Sequence, residues 1–146
     1  MRQLSLGMIL LMGFLLCGCA ANPVPIAYGT DGCYFCSMTI VDRRHASQIV
    51  TKKGKAFKFD AVECMANHLK DVDLSSIGLF LVNDYRYPGE LIDAKKATFL
   101  ISKDIPSPMG EYLSAFNNRE EAEEVETENK GKLYSWDELL TKFEVQ

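Results

Sequence analysis

The spacing of apolar positions changes several times along the chain, and each change predicts an element. Met8 to Leu16 forms a continuous apolar run behind Arg2, broken only by Gly13. It is shorter than the roughly 20 residues of a spanning helix and suits a secretory leader. Residues 20–30 carry two prolines, no charge and no period, which predicts a tether. Residues 45–51 and 56–60 are strand-like runs around Lys52-Lys53-Gly54-Lys55, a predicted β-hairpin. Asp60 stands where a helix cap belongs, and Val62, Met65, Ala66 and Leu69 then recur at helical spacing, predicting a helix over 61–70. Residues 77–82 have the length and uniform apolarity of a buried strand.

The second half predicts the same β-β-α-β order. Strands are expected at 91–93 and 97–101, then a proline-rich loop from Ile105 to Gly110. A helix is expected over 119–129, with Ala122 and Val125 as its few apolar positions. A strand over 132–135 and a terminal helix over 137–143, started near Ser135, complete the chain. The predicted fold class is α+β: two small ββαβ units in tandem with a C-terminal helix. The expected divisions are a leader over 1–18, a lipidated Cys19 and tether over 19–30, and units over 31–87 and 88–146.

Composition narrows the function. The 146 residues are 47% hydrophobic, with 16 basic and 20 acidic side chains and a net charge of −4. An acidic balance of this kind argues against nucleic acid as a partner. The leader ends Leu16-Cys17-Gly18-Cys19, which resembles a bacterial lipoprotein signal. Gly18 provides the small residue before cleavage, so Cys19 is the expected acyl acceptor, whereas Cys17 would follow bulky Leu16. The mature chain is then 19–146, tethered by lipid and facing the periplasm. Ala20 and Ala21 provide no aspartate signal for the inner membrane, which favours the outer membrane of a Gram-negative cell. The glutamates from Glu120 to Glu128 are expected to form a solvated helix face. No Ser-His-Asp order, phosphate loop or paired carboxylate points to catalysis.

The candidate chemistry is sulfur. Asp31-Gly32-Cys33-Tyr34-Phe35-Cys36-Ser37-Met38 places two thiols at C-x-x-C spacing with a thioether two residues on. Thiolate and thioether donors select soft ions, above all Cu(I). Three other readings of the pair are open. It is a structural disulfide, a thiol–disulfide oxidoreductase centre using Cys33 and Cys36, or part of a zinc site completed by Cys64 and His68. Met109 sits in a proline-flanked loop before Gly110, a common setting for function, while Met65 falls at a core-like helical position.

The ordered set of motifs resembles the NosL family. It comprises a lipoprotein signal, C-x-x-C-x-M, His45-Ala46-Ser47-Gln48-Ile49, Phe57-Lys58-Phe59-Asp60 before a cysteine-bearing helix, Asn83-Asp84-Tyr85, Ile92-Asp93-Ala94, and Ser107-Pro108-Met109-Gly110. The resemblance covers about residues 15–140 and implies a copper-binding accessory lipoprotein of nitrous oxide reductase, with a fold similar to a domain of organomercurial lyase. It implies no enzyme activity. Its implied role is delivery of Cu(I) to apo-nitrous oxide reductase, with a membrane transport complex upstream. Cys33, Cys36, Met38 and Met109 match the family's ligand motifs, and Asp31, His45, Cys64 and His68 are further candidates. Ser37 stands where the family usually has glycine.

Overall fold

A computed structural model describes residues 20–146; the expected leader and the expected acyl acceptor Cys19 lie outside the described residues. Ser47–Thr51 (β1) and Ala56–Phe59 (β2) form the expected antiparallel hairpin, with Ser47 opposite Phe59 and Val50 opposite Ala56. Gly54 turns it with φ at +86°, a value that L side chains resist. Helix α1 follows at Val62–Leu69, then a short 3-10 turn at Leu74–Ser76 and strand β3 at Ile77–Asn83. The remaining elements are β4 (Leu91–Asp93), β5 (Thr98–Ile101), β6 (Leu113–Phe116), α2 (Arg119–Asn129), β7 (Lys132–Tyr134) and α3 (Trp136–Lys142). They build two antiparallel sheets, ordered β2-β1-β3-β4 and β6-β5-β7, with three helices. The α+β class is as expected. Among the described residues no helix is long and apolar enough to cross a membrane.

Three local expectations are corrected. The strand at Leu91–Asp93 does not open the second sheet: it pairs with β3, Val82 facing Ile92, and extends the first. Its place in the second ββαβ unit is taken by β6, a stretch for which the sequence pattern predicts no element. All four residues of β6 are buried, so it shows none of the alternation that marks a half-exposed strand. Asp60 does not cap α1: the N-cap is Ala61, with no side-chain hydrogen bond.

The segment 20–30 lacks helix and strand, as its missing period predicts, yet it is held against the domain. Gln48 is fully buried in β1, and its side-chain amide needs both a donor and an acceptor. Val24 supplies both: its N–H donates to Gln48 Oε1 at 2.8 Å and its carbonyl accepts from Nε2 at 2.7 Å.

One apolar cluster joins both sheets, α1 and α3 through Phe59, Met65, Phe80, Phe99, Trp136 and Leu139. Burying each such side chain stabilises the fold by about 1.5–3 kcal/mol. Met65 is fully buried there, as its spacing predicts. A smaller cluster seats α2 through Ala122 and Val125, leaving the glutamate-rich face exposed or half-buried. Ser135 and Glu138 form a capping box that starts α3.

Candidate metal centre

The C-x-x-C motif folds as a tight loop at the edge of the first sheet. The Cys33 N–H donates to the Met38 carbonyl at 2.7 Å, the Ser37 N–H donates to the Cys33 carbonyl at 2.9 Å, and Gly32 bridges Thr39. Ser37 closes the turn with φ at +65°, the left-handed region. That conformation explains physically why glycine suits this position, and the serine keeps it without removing a sulfur donor. The Tyr34 N–H donates to the Lys58 carbonyl at 2.8 Å, docking the loop on β2, and the Tyr34 ring packs edge-on against Phe57 and His68.

This docking brings the loop to the N-terminal end of α1. The sulfurs of Cys33, Cys36 and Cys64 and a carboxylate oxygen of Asp60 all lie within 4.8 Å of one another. Cys33, Cys64 and Asp60 are buried, Cys36 is partly exposed, and all three cysteines are free thiols. Cys36 Sγ donates to Asp60 Oδ1 at 3.6 Å, while Asp60 Oδ2 is buried without a hydrogen-bond partner.

The electrostatics divide the thiols. The hydrogen bond from the Cys64 thiol pulls the Cys33 pKa down to about 6, against the opposing effect of burial. Backbone N–H groups of Cys36 and Asp60 add to the lowering. Cys64 is pushed strongly upward because its proton is held by Cys33 and its site is desolvated. Burial raises Cys36 despite a hydrogen bond from the Met38 N–H. Cys33 is therefore the member of the cluster that ionises first, while Cys36 and Cys64 are held as thiols.

The other candidates fall elsewhere. Met38 is half exposed on the loop's surface, and Met109 is 36% exposed at the turn before Gly110. Ser107, two residues before Met109, donates to the buried Glu63 carboxylate, so that loop is tied to the residue next to Cys64. Asp31 forms an ion pair with Lys58 and accepts from the Ala27 N–H. His68 lies among Tyr34, Phe57 and Phe59, where burial lowers its pKa and favours the neutral ring. Asp60 is the member that sequence reasoning missed. Its only signal is a spacing of four residues before Cys64, which also fits a helix cap.

His45 has both ring nitrogens engaged: Nδ1 with Asp42 at 2.9 Å and Nε2 with Ser114 at 3.2 Å. The fold thus assembles an Asp-His-Ser set that chain order did not disclose. Ser114 is fully buried, so this set does not present a nucleophile to solvent. It joins the segment before β1 to β6, linking the two sheets.

The NosL family model matches residues 23–143 of the chain. Among solved structures, the fold is similar to the crystal structure of the copper chaperone NosL from Shewanella denitrificans. The TM-score is 0.70 at 24% identity, covering 80% of this chain and 94% of that one. No curated protein matches the sequence. With all but a few residues of the described structure inside the family match, the chain belongs to the NosL family.

Proposed function

We propose that this chain is a Cu(I) chaperone, with copper as its cargo. The observation that carries the reading is the convergence of three free thiols on one point, two from a loop and one from α1. Cu(I) favours two or three soft sulfur donors, and thiolates provide them. Cys33, whose pKa is lowered most of the three, is the natural first ligand. Cys36 and the half-exposed Met38 stand on the solvent side, where a recipient's donor reaches the ion while Cys33 still holds it. Met109, on the loop tied to Glu63, is the fifth sulfur of the proposed set, after the three thiols and Met38.

The recipient in this reading is apo-nitrous oxide reductase during assembly of its copper–sulfur centre, supplied through a membrane transport complex. The chain is an acylated lipoprotein anchored at Cys19 on the periplasmic side of the envelope. Its role is binding and transfer, without catalysis. The test mixes the Cu(I)-loaded chain with the apo-reductase and follows the visible absorption of the assembling centre. Copper must pass from chain to reductase faster than from a small-molecule Cu(I) complex of equal affinity. Equal rates would remove the delivery role.

A further inference from the structure

We propose that the hairpin turn carrying Lys52, Lys53 and Lys55 docks on the anionic phospholipid headgroups of the membrane that holds the acyl chain. The inference rests on the lipoprotein reading of Cys19 and goes beyond it, because it fixes which end of the domain meets the bilayer.

The tether determines where the lipid lies. Ala21 is half-buried beside β3: a methyl group built on Gly78 would stand 2.8 Å from Ala21 Cβ and 3.5 Å from Lys52 Cα. Glycine therefore leaves room for the tether, which runs beside the turn. Val24 is held by Gln48, and the Pro25 carbonyl accepts from Lys58 Nζ at 2.7 Å. Cys19 stands two residues before Ala21, a reach of at most about 7 Å. An acyl chain on Cys19 thus brings the bilayer surface to the turn, and headgroup attraction acts over a Debye length of about 8 Å.

Charge is sorted along β3. Lys52, Lys53 and Lys55 are exposed, and among the described residues none of them forms an ion pair. Asp73 lies near Lys52, but its carboxylate accepts from the Ser75 N–H and hydroxyl. Thr51 pairs with Ile77, so the turn adjoins the start of β3. The second sheet joins at the other end, where the Tyr85 N–H donates to the Ala115 carbonyl and Arg86 pairs with Glu124 of α2. The seven residues of β3 separate these ends by about 20 Å. An anionic surface at the start of β3 attracts the turn and leaves the glutamates on the far side. Each lysine near such a surface strengthens the attraction roughly fivefold, so three hold one orientation of a chain already anchored by lipid. The register also places the thiol cluster. Ser47 faces both Phe59 and Val82, so Asp60 follows β2 at the end away from the turn, about 13 Å from Ala56. In this orientation the cluster faces away from the bilayer.

The test takes the acylated chain from a bacterial envelope into phosphatidylcholine vesicles, with or without about 30% phosphatidylglycerol. Acetylation of each lysine by an amine-reactive reagent is followed by peptide mass spectrometry. Lys52, Lys53 and Lys55 are expected to react at least about threefold more slowly in the anionic vesicles, with the rate restored by raised salt. Lys130 and Lys132, beside the second sheet, are expected to react equally in both. Equal rates at the turn in the two vesicles, or the same slowing at Lys130 and Lys132, overturn the proposal and leave the lipoprotein reading standing. Protection that inorganic phosphate reproduces in neutral vesicles overturns it in favour of a phosphate site. Protection by the apo-reductase, without any from anionic lipid, assigns the turn to a protein partner and also overturns it. A chain whose intact mass shows no acyl group removes the lipoprotein reading, and this proposal with it.

Discussion

The sulfurs of Cys33 and Cys64 lie within 4.8 Å of each other, joining helix α1 to the loop that opens the domain. This contact makes Cys33 the acidic member of the trio. The ultraviolet absorbance of thiolate, followed against pH in the Cys17→Ser/Cys19→Ser chain, is expected to show a first step near 6. Cys64→Ala removes the donor and shifts that step upward. A first step that does not move in Cys64→Ala contradicts the assignment.

Ser37 holds its left-handed turn at a cost that glycine avoids. An L residue there loses about 1–2 kcal/mol, while glycine gives back about 0.5–1 kcal/mol through the freedom of its unfolded chain. Ser37→Gly is therefore expected to raise stability by up to about 1 kcal/mol in urea unfolding, with thiol titration unchanged. A clear loss of stability would show that the serine side chain holds the loop.

Glu63 is buried, and burial raises its pKa above 4.5 although Ser107 donates to it. The folded protein favours the protonated acid, so this group's contribution is most favourable below pH 4.5. Stability is then lost as pH rises through the elevated folded value. Glu63→Gln keeps an acceptor for Ser107 and cannot ionise. Its stability relative to the unsubstituted chain is expected to grow with pH across that window in urea unfolding. Parallel pH profiles would contradict the shift.

Ser114→Ala leaves the buried Nε2 of His45 without its partner. The expected loss is about 1–3 kcal/mol in stability, with Cu(I) affinity unchanged, because this set links the two sheets and lies outside the sulfur cluster. Loss of copper affinity in a folded Ser114→Ala chain would place His45 in the metal centre.

Local signals carried much of this structure. The hairpin turn at Gly54, the spacing of Val62, Met65 and Leu69, and the Ser135 cap all act within a few residues, so their elements were legible. β6 was not, because four consecutive buried residues after a proline loop carry no period. The three-residue β4 was placed in the wrong sheet, since pairing partners are chosen by tertiary packing. The site divides in the same way. Cys33 and Cys36 are announced by their spacing, but the arrival of Cys64 and Asp60 beside them depends on how Tyr34 seats the loop on β2. Asp60 resembled a cap because sequence cannot show which way a carboxylate turns.

The most direct measurement is a Cu(I) titration of the reduced Cys17→Ser/Cys19→Ser chain against a competing chelator, repeated with Cys33→Ser/Cys36→Ser and with Cys64→Ser. The expected result is stoichiometric Cu(I) binding that the double substitution weakens greatly and Cys64→Ser also weakens. Failure of the unsubstituted cluster to take up Cu(I), or equal affinity after Cys33 and Cys36 are replaced, would contradict the account.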